Sequence, residues 1–227
     1  MVIGNGLLAR AFAPYAQHPD IVVFASGVSN SQEKAPEEFQ KERDLFSKTM
    51  EKSRGLIVYF STCSIYDVEQ KNAPYVQHKL VMEDLVRAQA RDHLIFRLPQ
   101  VVGATPNPHT LTNFFRDRLL DGERFNVWAN ASRTIIDVDD VKTLCDHFIA
   151  KTPIRNRALN LYPPIASTAL DLVRIMERVL NLHGNYEITA RGSSPNVDAP
   201  EITEAAQACG IHFTSTYPEQ VLRKYYG

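Results

Sequence analysis

Short apolar runs alternate with amphipathic segments along the chain, and this alternation predicts a parallel α/β sheet covered by helices. The apolar runs that we predict as sheet strands are residues 1–3, 21–27, 56–60, 93–98 and 159–162. Helices are predicted at 37–52, from 75 to about 86, and at 111–120, 141–150, 168–182, 201–209 and 219–225. Further short strands are predicted at 126–128, 133–138 and 186–189. With no internal repeat and no low-complexity linker, the pattern indicates one continuous α/β unit.

The stretch that organises the chain is the apolar run 56–60 with the polar residues behind it. The run ends in the hydroxylated turn 61–64, at the edge of a parallel sheet where open α/β folds bind their ligands. Tyr75 and Lys79 then lie four residues apart at the head of a helix, so they share one face. A nearby ammonium stabilises a phenolate and lowers the tyrosine pKa. Thr62, Tyr75 and Lys79 therefore form a candidate proton-transfer site, although a solvated lysine beside a half-buried tyrosine would show the same spacing.

The N-terminal segment carries a second candidate motif. Gly4, Gly6 and Ala9 match the G-x-G-x-x-G/A pattern between a strand and a helix, where backbone amides bind the pyrophosphate of a dinucleotide. The acidic residue that usually follows about 20 positions later is missing, because residues 24–27 contain no carboxylate. The polar run 29–31 could contact a ribose or a phosphate, or could simply cap a loop.

Composition narrows the classes of function. The chain has 227 residues, of which 44% are hydrophobic and 22% charged, as in soluble globular proteins. A net charge of −1 with interspersed signs gives no electrostatic reason to expect nucleic acid or an anionic membrane as a partner. No apolar run approaches the roughly 20 residues of a membrane span, and no secretory signal opens the chain. Cys63, Cys145 and Cys209 fit neither a disulfide framework nor a metal site, so we expect a cytoplasmic protein without a metal.

Several motifs in the same order resemble the extended short-chain dehydrogenase/reductase superfamily, in its NAD-dependent epimerase/dehydratase group that modifies nucleotide sugars. The matching segments are GNGLLA, VVFASG, FSTCSIYD, YVQHK, RLPQVVG, RTIIDVDD and ALNLY, which together span nearly the whole chain. The resemblance implies a Rossmann-like parallel sheet with a small C-terminal α/β substrate lobe. Residues 1–104 and about 133–165 would form the Rossmann-like core, and about 105–132 and 166–227 the lobe.

The resemblance also assigns roles to individual residues. Thr62, with Ser61 as the second choice, takes the catalytic Ser/Thr position. Tyr75 is the acid/base, and Lys79 lowers its pKa and holds the nicotinamide ribose. The cofactor, NAD or NADP, would contact Gly4, Asn5, Gly6, Leu7, Leu8, Ala25, Ser26, Gly27, Lys79 and Pro99. The nucleotide-sugar substrate would contact Ser61, Thr62, Asn113, Arg133 and Arg191. Arg133 would bind the diphosphate bidentately, or alternatively pair at the surface with Asp137 or Asp139.

The chain departs from the family at its N-terminus. Ile3 stands where the first glycine of the wider family motif would be. The segment VVFASG with the helix after it resembles the family's fourth strand, which leaves out a strand–helix–strand block of about 30 residues. In the competing alignment VVFASG is the second strand, and the third and fourth are missing. Both alignments predict a sheet two strands shorter than usual, without the usual adenosine pocket.

Two functions follow. The first is hydride transfer between a nicotinamide and the C4 carbon of a nucleoside-diphosphate sugar. Cys63 and Ser64 stand where the family's dehydratases have an Asp–Glu pair, and this difference favours epimerisation or 4-keto reduction over dehydration. The second is a non-catalytic module that binds a nucleotide or nucleotide sugar, or a protein partner. We favour the enzyme, since Thr62, Tyr75 and Lys79 are not needed for folding. The resemblance also implies a possible homodimer. Its surface could be supplied by Phe39, Leu45, Phe46, Val81, Leu85 and Val86, although these residues could instead face the sheet, and the shortened sheet could offer a different interface.

Overall fold

The computed structural model describes residues 1–151 and 153–227, with eleven strands and eight α-helices in that part of the chain. The strands are β1 (Val2–Ile3), β2 (Ile21–Phe24), β3 (Leu56–Thr62), β4 (His93–Leu98), β5 (Gln100–Val102), β6 (Phe125–Trp128), β7 (Ser132–Arg133), β8 (Ile135–Asp137), β9 (Arg157–Asn160), β10 (Ser167–Thr168) and β11 (Tyr186–Thr189). The helices are α1 (Leu7–Ala11), α2 (Pro36–Lys52), α3 (Pro74–Gln89), α4 (Leu111–Asp121), α5 (Val138–Ala150), α6 (Ala169–Leu180), α7 (Pro200–Ala208) and α8 (Tyr217–Tyr226).

The central sheet is parallel, with the strand order β1-β2-β3-β4-β9. All seven residues of β3 are buried, as expected for the middle strand of a sheet covered on both faces. Since β2 pairs with both β1 and β3, it takes the place of strand 4 in the classic order 3-2-1-4-5-6. The sheet is therefore a Rossmann-like sheet shortened on the β1 side, and the alignment that makes VVFASG the fourth strand is correct. Within the described residues, no strand pairs with the outer edge of β1.

Helices cover the two faces of the sheet with separate apolar clusters. Side chains of α1, α5 and α7 pack on one face, and side chains of α2 and α3 pack on the other. A third cluster joins α4, α6 and α8 to β6 and holds the C-terminal part together. Ile202 and Ala205 of α7 belong to the first cluster, so this helix packs on the Rossmann-like core. The division into core and lobe remains a prediction, with α7 on the core side of it.

The surface predicted for a homodimer is only partly available. Phe39, Phe46 and Val86 are buried in the monomer, because they face the sheet or the neighbouring helix. Leu45 on α2 and Val81 on α3 are exposed, at 38% and 48%. Homodimerisation remains a prediction that rests on this smaller apolar surface.

None of the helices described at residues 1–151 and 153–227 is both long and apolar enough to cross a membrane. The same residues contain no group of three or more His, Cys, Asp or Glu side chains arranged to hold a metal ion.

Candidate active site

The carboxyl end of β3 and the first turn of α3 bring Thr62 and Tyr75 together. Pro74 occupies the first turn of α3, where its missing N–H costs nothing, and so starts the helix next to the sheet edge. Thr62 Oγ1 accepts a hydrogen bond from the Ser64 amide at 3.0 Å, which leaves the hydroxyl proton of Thr62 to be donated. The Thr62 hydroxyl lies close enough to the Tyr75 phenol to lower its pKa. These two side chains can therefore hold the same substrate oxygen.

Lys79 lies next to this pair, with its ammonium bound to other buried groups. Its Nζ atom hydrogen-bonds Glu42 Oε1 and the Tyr59 hydroxyl, each at 3.2 Å, and lies 5.9 Å from the centre of the Tyr75 ring. Burial raises the pKa of Tyr75, the Lys79 charge acts against this rise, and the Glu42 carboxylate adds to it. The balance raises the pKa of Tyr75 above its usual value. The lowered pKa expected from the Tyr–Lys spacing is therefore not what the structure shows, since burial and Glu42 together outweigh the Lys79 charge.

Ser61 does not reach the site. Adjacent residues of a strand point to opposite faces, so Ser61 and Thr62 diverge. The Ser61 hydroxyl is buried and donates to Glu83 Oε1 at 2.7 Å on the α3 side of the sheet. Its predicted substrate contact is therefore not supported.

The glycine turn between β1 and α1 has the shape that a phosphate site requires. Gly4 adopts a φ of +120°, and a Cβ atom there would lie 2.5 Å from the carbonyl oxygen of Ala25. At Gly6 a Cβ would meet nothing within 4 Å, so a ligand can approach the backbone closely. Ala25 and Gly27 follow β2 at the same sheet edge. The turn thus fits the pyrophosphate of a dinucleotide, whereas the strands that would hold its adenosine end are absent beyond β1 in the described chain.

A cavity of about 750 Å³ opens at this edge of the sheet, between the core and the C-terminal part. Its wall includes Ser64, Asp67, Pro99, Gln100, His109, Phe114, Trp128, Ser132, Arg133, Thr134 and Tyr162. Of the residues described, Thr62, Tyr75 and Lys79 are not part of the wall; the cavity begins at Cys63 and Ser64, directly after Thr62. The cavity and the Thr62–Tyr75 pair are therefore neighbours.

The predicted substrate-binding cations differ in position. Arg133 lines the cavity, and its Nη1 atom lies 2.8 Å from the Ser132 carbonyl oxygen and 3.6 Å from Asp67 Oδ2. Its ion-pair partner is thus Asp67, and neither Asp137 nor Asp139, the two aspartates suggested by the sequence. Arg191 is exposed and is not part of the cavity wall in the described structure.

Asn113 has a structural role instead of the predicted contact with the substrate. It is 1% exposed, its side-chain amide donates to the carbonyl oxygens of Thr105 and Asn107, and its Oδ1 accepts from the Tyr226 hydroxyl. These bonds fasten α4 to the preceding loop and to the C-terminal helix. The side chain has little capacity left for a substrate.

Two residues of the site escaped the sequence analysis, although each left a signal. Glu42 falls on the buried stripe of α2 with Phe39, Phe46 and Met50, so a carboxylate stands where the helical period requires an apolar residue. Trp128 ends a strand whose Phe125 and Val127 are buried. The alternation therefore places this tryptophan on the outer face, where it lines the cavity at 39% exposure.

Comparison with known families gives a match over most of the chain. The family model described as "NAD dependent epimerase/dehydratase family" matches residues 5–161. No curated protein matches the chain by sequence.

Comparison with solved structures shows the same fold. UDP-glucuronic acid 4-epimerase from Bacillus cereus, in complex with UDP-glucuronic acid and NAD, superposes with a TM-score of 0.71 at 15% identity, covering 98% of this chain and 78% of that one. dTDP-glucose 4,6-dehydratase from Bacillus anthracis, in complex with NAD, gives a TM-score of 0.70 at 14% identity, covering 91% and 71%. UDP-glucose 4-epimerase from Thermotoga maritima, with UDP-glucose, gives a TM-score of 0.68 at 16% identity, covering 96% of this chain and 79% of that one. The neighbours are longer, in agreement with the shortened sheet.

Proposed function

Because the chain belongs to the NAD dependent epimerase/dehydratase family, we propose that it is an NAD(P)-dependent enzyme that transfers hydride at C4 of a nucleoside-diphosphate sugar. The observation that carries the proposal is the cavity of about 750 Å³ that extends from Arg133 to Ser64, next to the Thr62–Tyr75 pair. A cavity of this size suits a ligand as large as a nucleotide sugar. The neighbours solved with UDP-glucose and with UDP-glucuronic acid support this substrate class.

The cavity wall offers groups that match the parts of such a substrate. Trp128 presents a flat aromatic surface on which a nucleobase can stack. Arg133 offers a guanidinium whose parallel N–H groups suit a diphosphate, once the diphosphate takes over from Asp67 at 3.6 Å. With the base and the diphosphate held there, the sugar extends towards Ser64 and the end of β3.

At that end, Thr62 and Tyr75 act on the sugar oxygen. The Thr62 hydroxyl, with its acceptor side occupied by the Ser64 amide, donates a hydrogen bond to the oxygen. Tyr75 exchanges a proton with the same oxygen as general acid or base. A nicotinamide, when bound through the turn at Gly4–Gly6, supplies the hydride donor or acceptor.

Dehydration is disfavoured by the chemistry of the residues after Thr62. Burial raises the pKa of Cys63 to about 12, so its thiol is neutral at physiological pH. Ser64, the next residue, carries no charge either. Without a carboxylate pair to move the proton and the leaving hydroxyl, epimerisation or 4-keto reduction is the better assignment.

Isothermal titration calorimetry with NADH, NADPH, UDP-glucose, UDP-glucuronic acid and dTDP-glucose tests the proposal. We expect binding of a nicotinamide cofactor and of at least one sugar nucleotide. Arg133→Ala should weaken sugar-nucleotide binding roughly 10- to 100-fold, because it removes charged hydrogen bonds. Arg191→Ala, which removes an arginine outside the cavity, is the matched control and should bind like the unaltered protein. Tyr75→Phe should bind both ligands and lose turnover.

A sugar-nucleotide-binding module without hydride transfer is the second candidate. Two features favour it: no strand of the described residues pairs with the outer edge of β1, and Lys79 is paired with Glu42. Sugar-nucleotide binding that depends on Arg133, together with no cofactor binding at millimolar concentration, would establish the module and rule out the oxidoreductase. Binding of neither ligand would contradict both functions.

A further inference from the structure

Glu42 is the centre of a buried polar cluster behind the site. Its Oε1 accepts from the Tyr59 hydroxyl at 2.9 Å and from Lys79 Nζ at 3.2 Å. Its Oε2 accepts from the Val28 amide at 2.8 Å and hydrogen-bonds His78 Nε2 at 2.9 Å. Although burial alone would raise the pKa of Glu42, Lys79, His78 and the Val28 amide together lower it to about 2. Glu42 is therefore an anion whose hydrogen-bonding capacity is fully used.

The same cluster encloses the ammonium of Lys79. Besides Glu42 and Tyr59, the group packs against the backbone of Gly27, where a Cβ atom would lie only 2.6 Å from Nζ. The side chain of Lys79 is 5% exposed and that of Glu42 is 2% exposed. Lys79 therefore directs its charge into the protein and not into the cavity.

This closed pair changes the electrostatics at Tyr75. The groups that act on the phenol are Lys79 and Glu42, together with the Thr62 hydroxyl. A cation alone at this distance would stabilise a phenolate, but a carboxylate 3.2 Å from the cation offsets much of its field. Burial then dominates and favours the uncharged phenol.

We propose that Glu42 is a positioning residue that holds Lys79 in a closed ion pair and thereby keeps Tyr75 a neutral hydrogen-bond donor at physiological pH. The inference deepens the proposed function. The part that concerns catalysis rests on that function, whereas the part that concerns the ionisation of Tyr75 does not. A neutral phenol donates its proton to a substrate oxygen and does not abstract one. Glu42 therefore favours the form of Tyr75 that begins a 4-keto reduction, in which the nicotinamide would give a hydride to the carbonyl carbon and Tyr75 a proton to its oxygen.

Ionisation of Tyr75 can be measured without cofactor, substrate or turnover. The protein is labelled with ¹³C at Cζ of tyrosine, the Tyr75 resonance is assigned from Tyr75→Phe, and its chemical shift is followed with pH. We expect no ionisation of Tyr75 below its ordinary pKa of about 10. In Glu42→Gln we expect its pKa to fall by about one unit or more, because the Lys79 charge is then uncompensated.

Glu38→Gln is the matched control, since it removes one carboxylate from the same helix at an exposed position. It should leave the Tyr75 titration unchanged. The proposal would be overturned if Tyr75 ionised near pH 7 in the unaltered protein. It would also be overturned if the pKa of Tyr75 were the same in Glu42→Gln as in the unaltered protein. If Glu42→Gln does not fold, Lys79→Met tests the same closed pair: because the Lys79 charge is already offset, the Tyr75 pKa should change little, and a rise of more than about one unit would overturn the proposal. Failure of sugar-nucleotide binding affects the proposed function and leaves this measurement intact.

Discussion

At the scale of single residues, Glu42 connects the chemistry of the site with the stability of the fold. Its pKa is about 2 in the folded protein and 4.5 ordinarily. A lowered folded-state pKa stabilises the fold above the ordinary pKa, and this stabilisation is lost as the pH falls towards the folded value. This pKa shift corresponds to a contribution of roughly 3 kcal/mol to the free energy of unfolding, which is lost between pH 5 and pH 2.

We therefore predict that Glu42→Gln lowers the free energy of unfolding most at neutral pH. The difference between the unaltered protein and the variant should shrink as the pH falls from about 5 to about 2. Urea unfolding followed by circular dichroism at several pH values measures it. Glu38→Gln, which alters an exposed carboxylate of the same helix, provides the comparison. A difference that stays constant with pH would show that Glu42 is not charged in the folded state.

The sequence predicted residues of the site where local spacing determines geometry. Tyr75 and Lys79 share a helix face, and Thr62 ends the neighbouring strand, so their proximity follows from periods of 3.6 and 2. The direction in which Lys79 points depends on Glu42, which lies 37 residues earlier in the chain. Asn113 Oδ1 likewise has its partner, the Tyr226 hydroxyl, at the far end of the chain. Such long-range partners are not encoded in a local pattern.

At the scale of elements, helix α8 fastens the start of α5 to the C-terminal part. The Tyr217 hydroxyl accepts from the Asp137 amide at 3.0 Å and donates to Asp140 Oδ2 at 2.6 Å. Lys224 and Tyr225 of the same helix bind the Asp137 carboxylate. Asp137 also caps α5 by accepting from the Asp139 amide. Three residues near the end of the chain, Tyr217, Lys224 and Tyr225, thus meet at one helix terminus.

We predict that Tyr217→Phe destabilises the protein by roughly 1–3 kcal/mol, because it leaves a buried backbone N–H and a partly buried carboxylate without their partner. Tyr225→Phe on the same helix should cost less, since Asp137 Oδ1 keeps the Asp139 amide as a donor. Thermal and urea unfolding of both variants measure the difference. Equal losses would mean that the Asp137 amide finds another acceptor when the hydroxyl is removed.

The elements themselves were largely predictable, because their signals are local. The helix predicted at 37–52 is observed at Pro36–Lys52, and the strand at 186–189 is observed at the same residues. Thr168 begins α6 with a capping box that it forms with Asp171. The predicted strand at 133–138 is divided into β7 and β8, which pair with different strands. Asp137 ends β8 and caps the following helix α5.

At the scale of the whole molecule, the position of β1 at the sheet edge determines how a dinucleotide can bind. In the full doubly wound fold, the residue that holds the adenosine ribose lies about 20 positions beyond the glycine turn. Here that region leads into β2, which lies on the opposite side of β1, next to β3. The phosphate-binding turn at Gly4–Gly6 is retained, and the described chain offers no strand against which adenine could lie.

We predict, on the basis of the proposed cofactor binding, that the adenosine half of the cofactor contributes little to its affinity. Reduced nicotinamide mononucleotide should bind within about tenfold of NADH, a difference of about 1.4 kcal/mol. Fluorescence titration of the two reduced nucleotides measures both affinities. Gly6→Ala is the control for location, because a methyl group in the open turn should weaken both ligands. NADH binding more than a hundredfold tighter than the mononucleotide would mean that a partner chain or another segment supplies an adenosine pocket, so the missing strands would have been replaced and not simply lost.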